Sequence, residues 1–287
     1  MAAAIVVVLC LSWGFNQVAV KLAIHDIPPL IQSTVRSLVA ALIIAAWCRL
    51  RGIPLLTRDG TLVAGLAAGV FFSFEFICIF QGLAYTTATR AVLFIYLAPF
   101  FVVLGARIFL PADRFGLAQW LGLAMSFAGM AVAFGLPTPA LDPRQAIGDL
   151  MMVCGALFWA ATTLIIKSSS LNRVPAEKTM LYQLVVSVPL LAFATYVFGQ
   201  RVTAMPSSLA LGALAYQTVW VVSVTFVVWF AVMAKYSASR LSVFTFLTPL
   251  FGVAAGHLVL GEPLTPAFAA AVALVAIGLV LVNRARR

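Results

Sequence analysis

The chain has 287 residues, of which 64% are hydrophobic and 9% charged. A soluble domain carries about half and about a quarter, so this composition belongs to a membrane protein. The net charge of +10 does not point to nucleic acid, because the basic residues sit in short turns between apolar runs.

A hydrocarbon core of about 30 Å takes about 20 helical residues. Ten segments meet that length: 3–24, 30–49, 61–84, 89–109, 115–135, 147–168, 176–198, 208–234, 240–260 and 265–284. The first has no basic flank and no small-residue cleavage site, so it reads as a span and not a signal peptide. The breaks carry turn chemistry: Pro28-Pro29, Gly52 with Pro54, Pro111, Pro137 with Pro139, Pro175, Pro206, and Gly261 with Pro263. Cys10, Cys48, Cys78 and Cys154 all lie in apolar segments, with neither metal spacing nor a disulfide pattern. His257 has no second ligand at metal spacing. No metal or other cofactor is expected.

One stretch is written twice. Residues 71–101, moved by 150 positions, fall on residues 221–251 without a gap, and ten of the 31 pairs are identical. They include Ser73/Ser223, Arg90/Arg240, Leu97/Leu247 and Pro99/Pro249. Trp13 to Lys21 likewise matches Trp159 to Lys167, and Gly129 matches Gly278. The chain therefore reads as two copies of one unit, residues 1–141 and 142–287. Five spans per copy is an odd number, so the second copy enters the membrane in the opposite sense. The expected fold is an all-α membrane protein of ten transmembrane helices, built as two inverted five-helix repeats. Such repeats are common in secondary transporters, with a substrate site near the midplane. With the N-terminus cytoplasmic, inside turns carry 13 of the 18 Lys and Arg residues. Arg90, Arg144 and Arg201 fall in outside turns, and both termini are then cytoplasmic.

Glu75 is the acidic residue placed deep in a span. It reads either as a proton-binding coupling group, as a contact for a substrate ammonium, or as a protonated carboxyl bonded to a neighbouring helix. The third span puts Phe71 or Phe72, Glu75, Ile79 and Gly82 on one face, and the eighth puts Val222, Thr225, Trp229 and Val232 on another. Trp13, Asn16 and Gln17 share a face in the first span, as do Trp159, Thr162 and Thr163 in the sixth. Tyr96, Tyr216, Trp220 and Phe244 add aromatic surface. Each aromatic ring is open to the plainer reading of helix packing, and the amides to that of interhelical bonding. Arg36 reads as a carboxylate contact in an outer vestibule, or as a pair with Asp26, or as snorkelling to the surface. Lys21 and Lys167 read as anchors at span ends. Pro99 and Pro249 each remove a backbone donor at mid-span and should kink spans four and nine as gate hinges. Small-residue faces such as Gly65-Gly69 and Gly116 onward can pack helices within one chain or between chains.

Ser12-Trp13-Gly14-Phe15-Asn16 with Lys21 resembles the first helix of EamA-type permeases of the drug/metabolite transporter superfamily. The Leu97-Ala98-Pro99 and Leu247-Thr248-Pro249 pair also resembles that family, as does Leu260-Gly261-Glu262-Pro263-Leu264-Thr265 before a small-residue last helix. The resemblance covers essentially the whole chain, as two EamA units, and is greatest to the YddG group of amino-acid exporters. The first copy departs at the turn, where Pro111-Ala112-Asp113-Arg114 stands for Gly261-Glu262. The resemblance implies efflux of aromatic and other neutral amino acids across the bacterial inner membrane. Glu75, Asn16 and Gln17 are then the polar contacts, and Trp13, Tyr96, Trp159, Trp220 and Trp229 the walls, with Ile79, Thr162 and Thr225 beside them. The expected partners are a small-molecule substrate and the lipid bilayer, with a single chain as the working unit. Another cargo on the same machine, such as a cationic drug, is the alternative. An enzyme would need clustered acids, His or Cys near one interface, and a channel a polar stripe or filter; neither pattern is present.

Overall fold

The computed structural model describes residues 2–55, 57–136, 142–261 and 264–284. Pro137, Pro139, Glu262, Pro263, Arg286 and Arg287, named above, lie outside the described residues. Ten helices long and apolar enough to cross a bilayer follow one another. They are α1 (Ala3–Ile24), α2 (Pro29–Leu50), α3 (Leu62–Gly82), α4 (Arg90–Phe109), α5 (Leu117–Phe134), α6 (Pro143–Ser168), α7 (Ala176–Val197), α8 (Ser208–Lys235), α9 (Ala238–Leu260) and α10 (Pro266–Asn283). In none is more than 50% of the apolar window buried. The remaining apolar surface, including Leu42, Ile108 and Leu258, is what acyl chains cover. The face where α1 begins is called near, and the face where it ends far.

The duplicated stretch folds the same way twice. Thr87 caps the start of α4 by accepting from the Arg90 amide, and Ser237 caps α9 by accepting from the Arg240 amide. Both helices then break at the same place. The first is helical over Ala88–Ile95 and again over Ala98–Phe109, the second over Ala238–Phe244 and Leu247–Leu260. Pro99 and Pro249 supply no N–H for the carbonyl four residues back, so the chain crosses the gap in tight turns. Leu97 N donates to Phe94 O at 3.2 Å, and Phe246 N to Val243 O at 3.2 Å. At both places one turn of tighter bonding interrupts the α-helix, and Leu97, Thr245 and Phe246 keep right-handed helical backbone angles.

Helix α3 packs on α6, and α4 on α6; α1 packs on α8, and α9 on α1. Advancing each label by five turns the first pair of contacts into the second. The α2–α7 and α5–α10 contacts map onto themselves. This is the contact pattern of inverted repeats around a pseudo-twofold axis. Glycines allow the close pairs. A Cβ on Gly122 would stand 2.6 Å from the Gly278 carbonyl, and one on Gly65 would strike the Tyr182 ring at 2.5 Å. Both small-residue faces are therefore used inside the chain.

Helix α8 departs from its repeat. Tyr216–Thr225 is wound as a π-helix, with Ser223 Oγ donating to Thr218 O at 2.8 Å. Such wide turns are rare and concentrate at functional sites.

Candidate functional site

A cavity of about 230 Å³ is lined by residues of both halves of the chain. Pockets for drug-sized ligands run to about 300–1,000 Å³, so this one suits a smaller solute. Trp13, Asn16 and Gln17 of α1, Glu75 of α3, Tyr96 of α4, Trp159 and Thr162 of α6 and Trp229 of α8 all line it. So do Arg36, Phe72, Phe76, Thr163, Gln183, Val221, Phe226, Phe230 and Thr248. Helices α2 and α7 contribute through Arg36 and Gln183.

The rings are fixed by one another. Trp13 meets Trp229 edge-on at 5.3 Å, and its indole N–H donates to Thr225 Oγ1 at 2.9 Å. Tyr96 meets Trp159 edge-on at 6.1 Å. Gln17 lies against Gly252, where any Cβ would stand 2.5 Å from its amide oxygen. Asn16 Oδ1, Thr162 Oγ1 and Gln183 Oε1 find no hydrogen-bond partner among the described residues. Buried polar atoms are seldom left so.

Three expected site residues sit elsewhere. Thr225 is buried behind Trp13, and it holds that ring instead of lining the space. Ile79 packs toward Gly155 of α6. Trp220 is 43% exposed and gives its indole N–H to Ser12 Oγ at 3.0 Å. It neighbours Val221, which faces the cavity. Adjacent helical residues point about a quarter turn apart, so Trp220 looks outward. Tyr216 likewise bonds the Ser12 carbonyl at 3.0 Å.

For Arg36 two of the three expected readings fall away. It neither reaches the surface nor pairs with Asp26, whose carboxylate accepts from Ser207 N and Oγ and is held below the usual carboxylate range by them. Arg36 is instead buried, with its guanidinium 4.5 Å above the Phe76 ring and 5.5 Å from that of Phe80. Glu75 is buried in the same cavity. No hydrogen bond or ion pair joins either one to a described residue.

The near face is shut. Lys167 is no lipid anchor: its Nζ donates to Met233 O at 2.6 Å and Ala234 O at 3.1 Å. That ties the end of α6 to the end of α8. Asp113 accepts from Ser237 Oγ and from Ser239 N, tying the turn after α4 to the start of α9. The near half of α4 packs on the near half of α9, and their far halves make no comparable contact among the described residues. On the far face Arg90 is not a free turn cation. It is buried and forks onto Asp149 of α6, which also accepts from Thr86 at 2.6 Å. Asp149 escaped the sequence reading because it lies near a span end. Among the described residues no group of three His, Cys, Asp or Glu side chains could hold a metal ion.

Comparison with known proteins agrees with this geometry. A solved crystal structure superposes with a TM-score of 0.84 at 21% identity, over 98% of this chain and 96% of its own, and so has the same fold. The uncharacterized transporter YoaV of Bacillus subtilis is 23% identical over 91% of this chain and 89% of its own length. A protein of Salmonella typhimurium named a probable amino-acid metabolite efflux pump is 26% identical over 93% of this chain and 89% of its own. The model of the EamA-like transporter family matches twice, over residues 1–135 and 146–284. The chain is therefore a multi-pass membrane transporter, not an enzyme, and belongs to the EamA-like transporter family of the drug/metabolite transporter superfamily.

Proposed function

We propose that the protein exports small amphipathic metabolites, aromatic and other neutral amino acids first among them, by alternating access. The observation that carries this is a small, ring-walled cavity that holds a buried Arg36 and a buried Glu75, neither bonded to a described residue. Rings accept an apolar side chain, and a buried charge calls for a ligand. The Salmonella relative's name supports the same class. The units are residues 1–141 and 142–287, and their exchange of conformation opens one face and then the other. Pro99 and Pro249 mark the hinges. The distribution of Lys and Arg supports a cytoplasmic near face carrying both termini, in a bacterial inner membrane. The conformation described is then outward-facing. A single chain suffices as the unit, since its small-residue faces are engaged internally. Glu75 is the coupling site for protons. A cationic drug as cargo would suit Glu75 but leaves Arg36 facing a like charge.

The test is efflux of labelled amino acids from proteoliposomes, with and without a pH gradient. Saturable, trans-stimulated flux of phenylalanine or tryptophan is expected. Flux of cationic drugs with no flux of any amino acid overturns the reading.

A further inference from the structure

This inference rests on the cavity being the substrate site. Arg36 and Glu75 sit on adjacent helices α2 and α3, 4% and 9% exposed, and both line one cavity. Each lies in the other's field, yet no ion pair closes between them within 4.0 Å. Both side chains line the open space. The Arg36 guanidinium carbon lies 4.5 Å from the centre of the Phe76 ring. A guanidinium carries five N–H donors, and none of those of Arg36 is bonded to a described residue.

Burying a charge without a partner is strongly unfavourable. A guanidinium and a carboxyl held in one cavity without an ion pair between them are the complement of a molecule that carries both signs close together. We propose that the cavity recognises a zwitterion by both poles. Arg36 takes the carboxylate through two parallel N–H bonds, and Glu75 takes the ammonium. The apolar side chain lies among Trp13, Trp229, Tyr96 and Trp159. The neutral residue Gln183 stands in α7 where Arg36 stands in α2, each the eighth residue of its helix. One orientation of the zwitterion is therefore favoured over its reverse. An amine without the carboxylate leaves Arg36 unpaired, and an acid without the amine leaves Glu75 unpaired. Sites built on such pairing reject the analogue that lacks the group by about a hundredfold or more.

The experiment measures binding to the purified full chain by tryptophan fluorescence, with phenylalanine, phenethylamine and 3-phenylpropionate as probes. Wild type is expected to bind phenylalanine at least about a hundredfold tighter than either analogue. Arg36→Gln should bring phenylalanine and phenethylamine level, and Glu75→Gln should bring phenylalanine and phenylpropionate level. Equal binding of phenylalanine and phenethylamine by wild type overturns the two-pole site and leaves the amino-acid reading intact. Binding of none of the three overturns both. The wild-type comparison decides without any variant, so a variant that fails to fold does not shield the proposal.

Discussion

Across the cavity the two halves of the chain present matched positions. Trp13 answers Trp159, Asn16 answers Thr162, and both of the latter keep an unpartnered oxygen. The match fails at two places. Arg36 faces a counterpart Gln183, and Glu75 is repeated in sequence as Thr225, which has turned away to hold Trp13. The difference separates two requirements. Exchange between conformations needs the helix contacts of one half to be reproducible by the other, so the scaffold is symmetric. Recognition needs one set of charges, and a second set would double the cost of burying them.

The strongest way to break this comparison is to remove the charge from the half that has it. Glu75→Gln is expected to lower amino-acid flux at least about tenfold, the effect of losing one charged contact, and to abolish the response to a pH gradient. Normal flux and a retained pH response would make Glu75 structural. Moving the charge into the other half should not help. Thr225→Glu in a Glu75→Thr background is expected to restore no transport. It should also lose about 3–5 kcal/mol of stability, because a carboxylate replaces the acceptor behind Trp13 without a cavity to serve. Chemical unfolding in detergent reads that loss, and recovery of flux would place position 225 in the path.

The two faces differ too, and Lys167→Met sharpens that contrast. The tie between α6 and α8 is a charge-assisted bond pair, worth about 1.5–3 kcal/mol, so the equilibrium should shift about ten- to a hundredfold toward near-face opening. A cysteine placed at Thr163 in a cysteine-free chain would then label faster from the near side with an impermeant maleimide. An unchanged rate would mean the face is held by packing alone. Gly278→Leu should act on stability only, by about 1–3 kcal/mol, since α5 and α10 do not line the cavity. A changed affinity for phenylalanine would contradict that separation.

The smallest effect belongs to Asp59 in the turn between α2 and α3. Lys178 at 2.7 Å, with Thr61 and Thr57, holds its carboxyl well below the ordinary value of 3.8. A depressed folded pKa contributes stability above the unfolded value that is lost as pH falls toward the folded one. Melting of wild type should thus drop more between pH 5 and pH 3 than melting of Asp59→Asn, and parallel curves would refute the link.

Apolar run length determined the ten spans, because a bilayer demands about 20 helical residues from every crossing. The offset of 150 residues and an odd number of spans per copy determined the inverted repeat. Pro99 and Pro249 placed the breaks, because a missing N–H acts locally. Tertiary structure alone decided which way each polar group points. A helical period tells which residues share a face but not what that face meets. Arg36 had three outlets on sequence grounds, and only the packing of α2 on α3 turned it over Phe76 and into the cavity. Trp220 and Trp229 were alike as aromatic residues until the packing of α8 on α1 sent one outward and the other in. Lys167 was one more span-end cation until the carbonyls ending α8 came within its reach. Each of these outcomes depends on a neighbour more than a hundred residues away or on a different helix, which composition and spacing do not record.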